Sequence, residues 1–285
     1  MTSESQPCAD ADTFHEDFAV DGDIELVTPL RVHFVVPSSA LARASGFFRA
    51  MFANAHPDTD PAHEREVLAV DEDAQTLEIL LKIICALPFE FAQIDDMSTV
   101  ERVAHAADKY DVPAALHTMQ LMMHAPVARP CPLRRYALSA RYGWDSVCAN
   151  ALIETLDTDI DFARLPPMDM IHLARLMRLR HVRVTIFAAV LDDKNIFNSG
   201  NRNTCFGAGH TLQRPTPWEA LKTALVLELT RRPSGKTVIS ANQVFLDAAR
   251  DALCSKCTTS TALYNWSETF NHITRALEKL PTKLD

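Results

Sequence analysis

Alternation of apolar and polar positions first becomes regular between Asp23 and Val36. In Arg31 to Val36, Val32, Phe34 and Val36 fall on one face, the period of a half-buried strand. D-I-E-L-V, before the turn at Pro29, predicts its partner. The period then lengthens. Beyond Ser38 or Ser39, either of which can cap a helix, Leu41, Ala44 and Phe48 recur at helical spacing while Phe47 and Met51 widen the apolar face. Asn54 to Arg65 is polar, holds two prolines and reads as a loop before a third strand over Val67 to Val70. Leu77, Leu80, Leu81 and Ile84 mark a helix that Pro88 ends. Val100, Val103, Ala104 and Ala107 line the next, and Ala115, Met119 and Met122 the one after, with Val112-Pro113 as the break between them.

Three prolines among residues 126 to 132 make P-V-A-R-P-C-P the best linker in the chain and place a domain boundary there. Beyond it the patterns are helical. Leu133 to Leu156 and Met168 to Leu191 are separated by Pro166-Pro167, and after a polar stretch from Asp192 to Pro217 helical spacing resumes at Trp218 to Leu229, Gln243 to Leu253 and Leu263 to Leu280. The expected organisation is a disordered leader over 1–20, an α+β domain over 21–125, and helical regions over 132–195 and 205–285.

Composition narrows the chemistry. A chain of 285 residues with 47% apolar and 23% charged side chains is globular, and long enough for two modest domains. Its net charge of -9 argues against a general nucleic-acid surface, because phosphate binding draws on clustered Lys and Arg. The start M-T-S-E-S-Q-P-C lacks the basic and apolar regions of a secretory signal, and charges interrupt every apolar run well short of the roughly 20 residues needed to span a bilayer. Seven cysteines, unevenly spread, do not read as a secreted disulfide framework. An intracellular protein, cytoplasmic or nuclear, without a membrane span is expected.

The order of elements from Asp23 to Met123 resembles a BTB/POZ domain, in the form common among fungal BTB proteins, and covers about the first two fifths of the chain. Members show a phrase F-x-V-H-K-x-x-L-x-x-x-S-x-x-F-x-x-M-F, matched here by Phe34, Val36, Leu41, Ser45, Phe48, Met51 and Phe52. Pro37 and Ser38 stand where His and Lys are usual, near a groove that some BTB dimers use to hold peptides. Pro132 to Gly143, P-L-R-R-Y-A-L-S-A-R-Y-G, is similar to the opening of the helical region in fungal BTB proteins. The resemblance implies a fold of a small sheet flanked by helices, then an all-helical region, and a non-enzymatic role in protein recognition. BTB domains often pair through their first strands and helices. Ala44, Phe47, Phe48 and Met51 are therefore expected as a mixture of core and homodimer or partner contacts, with all four in the domain's own core as the alternative, which periodicity does not separate. Some BTB proteins bring substrates to cullin-type ubiquitin ligases through a hydrophobic-x-Glu motif and helices after the domain. The helices are expected here, but A-N-A-H-P-D-T-D after Phe52 carries no such motif.

Other chemistry is sparse. Cys205, His210, Cys254 and Cys257 have the spacing of two metal-ligand knuckles, C-x4-H and C-x2-C, and would give a structural zinc site; free cysteines at a helix end are the alternative. D-T-D-I-D at 157–161 opens like a calcium loop but has Phe162 where Gly belongs and Met168 where the closing Glu belongs. His172, Arg175, Arg178, His181 and Arg183 form a basic stripe, read as an exposed charged face with Leu173, Leu176 and Met177 inward. Arg231-Arg232-Pro233-Ser234 resembles a basophilic kinase site and is read as a loop. No G-x-S-x-G elbow, phosphate-cradling glycine loop or H-E-x-x-H occurs, and Cys85 with His105 is read as core packing.

Overall fold

The structure, a computed structural model, describes residues 12–54, 65–91, 94–201, 205, 208–210, 217–240, 256–257 and 265–283. Two units divide the chain, residues 1–131 and 132–285.

In the first unit, β1 (Thr13–Phe14), β2 (Ile24–Val27), β3 (Val32–Val36) and β4 (Glu66–Ala69) form a mixed sheet in the order β1-β3-β2-β4. The antiparallel β2–β3 pair sets Leu26 opposite Phe34, both fully buried, while β1 and β4 add to the edges in parallel. Phe34 and Val36 face the main core as the alternation predicts, and Val35, pointing to the opposite face, is buried as well.

Helices α1 (Ser38–Ala44), α2 (Gly46–Asn54), α3 (Ala74–Ile84), α4 (Met97–Lys109) and α5 (Pro113–Met122) complete the unit. Leu77, Leu80, Leu81 and Ile84 of α3 pack with Leu41, Phe48, Ala107 and Ala115 over the sheet. Helix starts follow local chemistry. Asp73 accepts the Thr76 N–H at 3.0 Å, Asp96 accepts the Thr99 N–H at 2.6 Å, and Pro113 opens α5 where a missing N–H costs nothing.

Two expectations need correction. The 1–20 leader is too long, because the chain is built into the sheet from Thr13: its N–H donates to Arg31 O, His15 N–H donates to His33 O, and Phe18 is buried against Phe34 with ring centroids 5.6 Å apart. Lys82 bridges Asp17 and Glu78 at 2.9 and 2.6 Å, holding the segment to α3. A two-residue strand is too short for alternation to register. The single helix expected from Ser38 to Phe52 breaks at Ser45, which is extended and fully buried. Its hydroxyl donates to Tyr110 O at 2.5 Å and accepts the Phe48 N–H at 3.0 Å, so one side chain ends α1, caps α2 and ties both to α4. Gly46 belongs to the same joint, since a Cβ there would lie 1.8 Å from the Asp111 carboxylate.

The second unit is helical: α6 (Pro132–Arg141), α7 (Asp145–Glu154), α8 (Met170–Leu191), α9 (Asn198–Asn201), α10 (Pro217–Arg231), α11 (Lys236–Ile239) and α12 (Trp266–Glu278). The stretch Gln243 to Leu253 lies outside the described residues. Helix α8, 22 residues and so about 33 Å long, serves two cores. Leu176 and Leu179 pack with Tyr136, Ala151, Leu152 and Leu156, whereas Phe187 and Leu191 pack with Trp218, Leu225, Leu229, Ile273 and Leu277. The regions 132–195 and 205–285 therefore share one spine. Asp157 is taken up by the distant Lys236 at 2.6 Å and Asp161 by the Ala163 N–H at 3.0 Å.

Candidate interaction surface

Helix α2 carries the sequence-predicted residues, and the structure separates them. Phe48 lies wholly inside the domain, its ring stacked on Tyr110 with centroids 5.3 Å apart, so it offers nothing to a partner. Ala44 and Met51 are half-buried against the same core. Phe47 is different. It leaves 45% of its surface exposed while its ring meets Phe48 and Tyr110 edge-on at 5.3 and 5.5 Å.

That aromatic platform is held from below. Tyr110 donates to Glu72 Oε2 at 2.5 Å, and Lys109 binds the same carboxylate at 2.9 Å. Burial, reinforced by Glu72, pushes the Tyr110 phenol above its ordinary value, so it stays neutral and keeps donating. Phe47 thus stands on a fixed base rather than on a freely rotating helix surface.

Pro37 and Ser38 also have a structural explanation. Both the N–H and the hydroxyl of Ser38 donate to Asp23 at 2.6 Å, fastening the start of α1 to the start of β2. Burial opposes ionisation of Asp23, but these two bonds outweigh it and hold the carboxyl below its ordinary range. Pro37 lines an open groove of about 540 Å3 together with Glu16, Asp17, Asp21 and Arg43. Cys85 also lines it, packs against the core and has its thiol pushed up by burial, while His105 is exposed rather than packed inside. The reading of that pair as core packing therefore holds for the cysteine alone.

In the helical unit, Cys205, His210 and Cys257 come together; Cys254 lies outside the described residues. The basic stripe on α8 does not hold as one face. Arg175, Arg178 and His181 are exposed and His172 binds its own helix cap, Asp169, at 2.7 Å, but Arg183 is buried. It donates to the carbonyls of Pro233, Ser234, Leu280 and Pro281. Its neighbour Arg180, which the pattern did not single out, is buried too and donates to the carbonyls of Thr155, Thr158 and Arg231. Thr155 and Arg231 end α7 and α10, where the helix dipoles are negative, and the other carbonyls belong to the turns that follow α7, α10 and α12. The two arginines therefore act as structural clamps between the two cores. Ser234 sits in the predicted loop, its N–H donating to Leu156 O at 3.0 Å.

A mixed four-stranded sheet packed against helices, followed by a helical unit, defines an α+β domain with an all-helical extension. Residues 17–125 match the BTB/POZ domain family, and this part of the chain is a BTB/POZ domain, a protein-protein interaction module. No curated protein matches the chain. Among the described residues, no helix is long and apolar enough to cross a membrane.

Proposed function

We propose that the BTB domain joins two copies of the chain through the face of α1 and α2 centred on Phe47, and that the helical unit recruits a second protein. The exposed Phe47 ring carries this reading. It is a large, rigid apolar side chain on a buried aromatic base, the kind of anchor that supplies most of the energy of a protein interface. Half-buried Ala44 and Met51 on the same helices would complete the contact. Two differently tagged copies, co-expressed, are expected to co-purify, and Phe47→Asp in both is expected to weaken retention by about 30-fold or more, the scale of a hot-spot loss. Independent purification of wild-type copies would remove self-association.

A substrate-adaptor role with a cullin-type ubiquitin ligase is the second reading. It draws support from the helical pair α6–α7, which opens the second unit immediately after the BTB domain. The stretch where a hydrophobic-x-Glu motif would stand falls mostly outside the described residues. Binding to a cullin N-terminal region in a pull-down supports the adaptor; no binding at micromolar concentration removes it.

A further inference from the structure

Cys205, His210 and Cys257 bring two thiols and an imidazole within 4.8 Å of one another, although Cys257 is far along the chain from the other two. Cys257 Sγ lies 3.6 Å from Cys205 Sγ and 3.6 Å from His210 Nδ1. A tetrahedral zinc ion with its usual bond lengths sets sulfur ligands about 3.8 Å apart and a sulfur and a nitrogen ligand about 3.6 Å apart. The observed separations are close to both edges of that tetrahedron. A disulfide would need the two sulfurs at about 2.05 Å.

The backbone prepares the first two ligands. Cys205 N–H donates to His210 O at 2.9 Å and Gly209 N–H donates to Cys205 O at 2.9 Å, so the backbone holds Cys205 and His210 beside each other. Gly209 sits at φ +64°, the left-handed conformation that glycine adopts without strain. Cys205 is buried, and half-buried Cys257 packs against the core formed by α8, α10 and α12, so the group borders apolar side chains.

We propose that Cys205, His210 and Cys257 supply three ligands to a tetrahedral zinc ion that fastens Cys205 and His210 to Cys257. Two thiolates and an imidazole suit zinc, and oxygen-seeking calcium or magnesium would not choose them. Cys254, in C-x2-C spacing with Cys257, lies outside the described residues and is not counted among the three.

The test uses the full chain without a polyhistidine tag, purified under reducing conditions. Elemental analysis is expected to find about one zinc per chain. Exchange for cobalt should give the strong red-region d–d bands of a tetrahedral site together with thiolate-to-cobalt charge transfer. Cys257→Ser and His210→Ala are each expected to reduce bound metal at least tenfold, while Cys131→Ser retains it. The wild-type cobalt spectrum reads the site even where a variant folds poorly. A wild-type chain that carries no zinc and gives no tetrahedral cobalt spectrum overturns the proposal, as does full metal content in Cys257→Ser.

Discussion

At the scale of single residues, a few buried polar groups hold more of the structure than their number suggests. Arg183 is the clearest. Burial pushes its guanidinium below the ordinary value, yet four carbonyls accept from it, and its removal takes this donor from two buried acceptors, Pro233 O and Leu280 O. Arg183→Ala is expected to cost about 3 kcal/mol or more. Arg183→Lys should recover only part of this, because an ammonium lacks the planar fork that reaches several carbonyls at once. Urea unfolding checks both, and unchanged midpoints would refute the clamp. Asp96 provides a pH-dependent case. Hydrogen bonds from Ser98 and from the Thr99 N–H lower its carboxyl from 3.8 to about 2. Since the folded value is the lower one, its contribution is complete above pH 3.8 and lost as pH falls through about 2. Asp96→Ala is expected to cost about 1 kcal/mol at neutral pH, with the gap to wild type closing in acid unfolding followed by circular dichroism.

Between elements, the decisive joint is Ser45. It separates α1 from α2, and its hydroxyl caps the helix on which Phe48 faces inward and Phe47 outward. Ser45→Ala removes both of its bonds and leaves Tyr110 O without this donor; a loss of about 1 to 3 kcal/mol is expected in thermal or urea unfolding. The strands β2 to β4 and helices α3 to α5 were legible because periodicity and caps agreed there. The break at Ser45 was not, since apolar spacing runs unbroken from Leu41 to Phe52 and the hydroxyl's partner, Tyr110 O, is distant in sequence. Strand β1 escaped because two residues carry no period. The difference between Phe47 and Phe48 was likewise hidden, as adjacent apolar residues on a helix look alike until the break fixes which one faces in. Arg183 read as part of an exposed stripe because charge pattern does not reveal which arginine meets free helix ends. Cys205, His210 and Cys257 were singled out by spacing alone, and the turn at Gly209 brings two of them together.

For the molecule as a whole, each unit encloses its own apolar cores. All three tryptophans, Trp144, Trp218 and Trp266, belong to the helical unit, so tryptophan fluorescence reports on that unit alone. Arg183→Ala is expected to shift the fluorescence transition in urea while Ser45→Ala leaves it in place; a joint shift would mean that the two units unfold as one. Self-association is the central claim, and sedimentation equilibrium of the full chain beside Phe47→Asp tests it most directly. The account predicts twice the single-chain mass for the wild type at micromolar concentration and the single-chain mass for the variant, with unchanged circular dichroism. A wild-type chain that sediments at its single-chain mass across that range contradicts it.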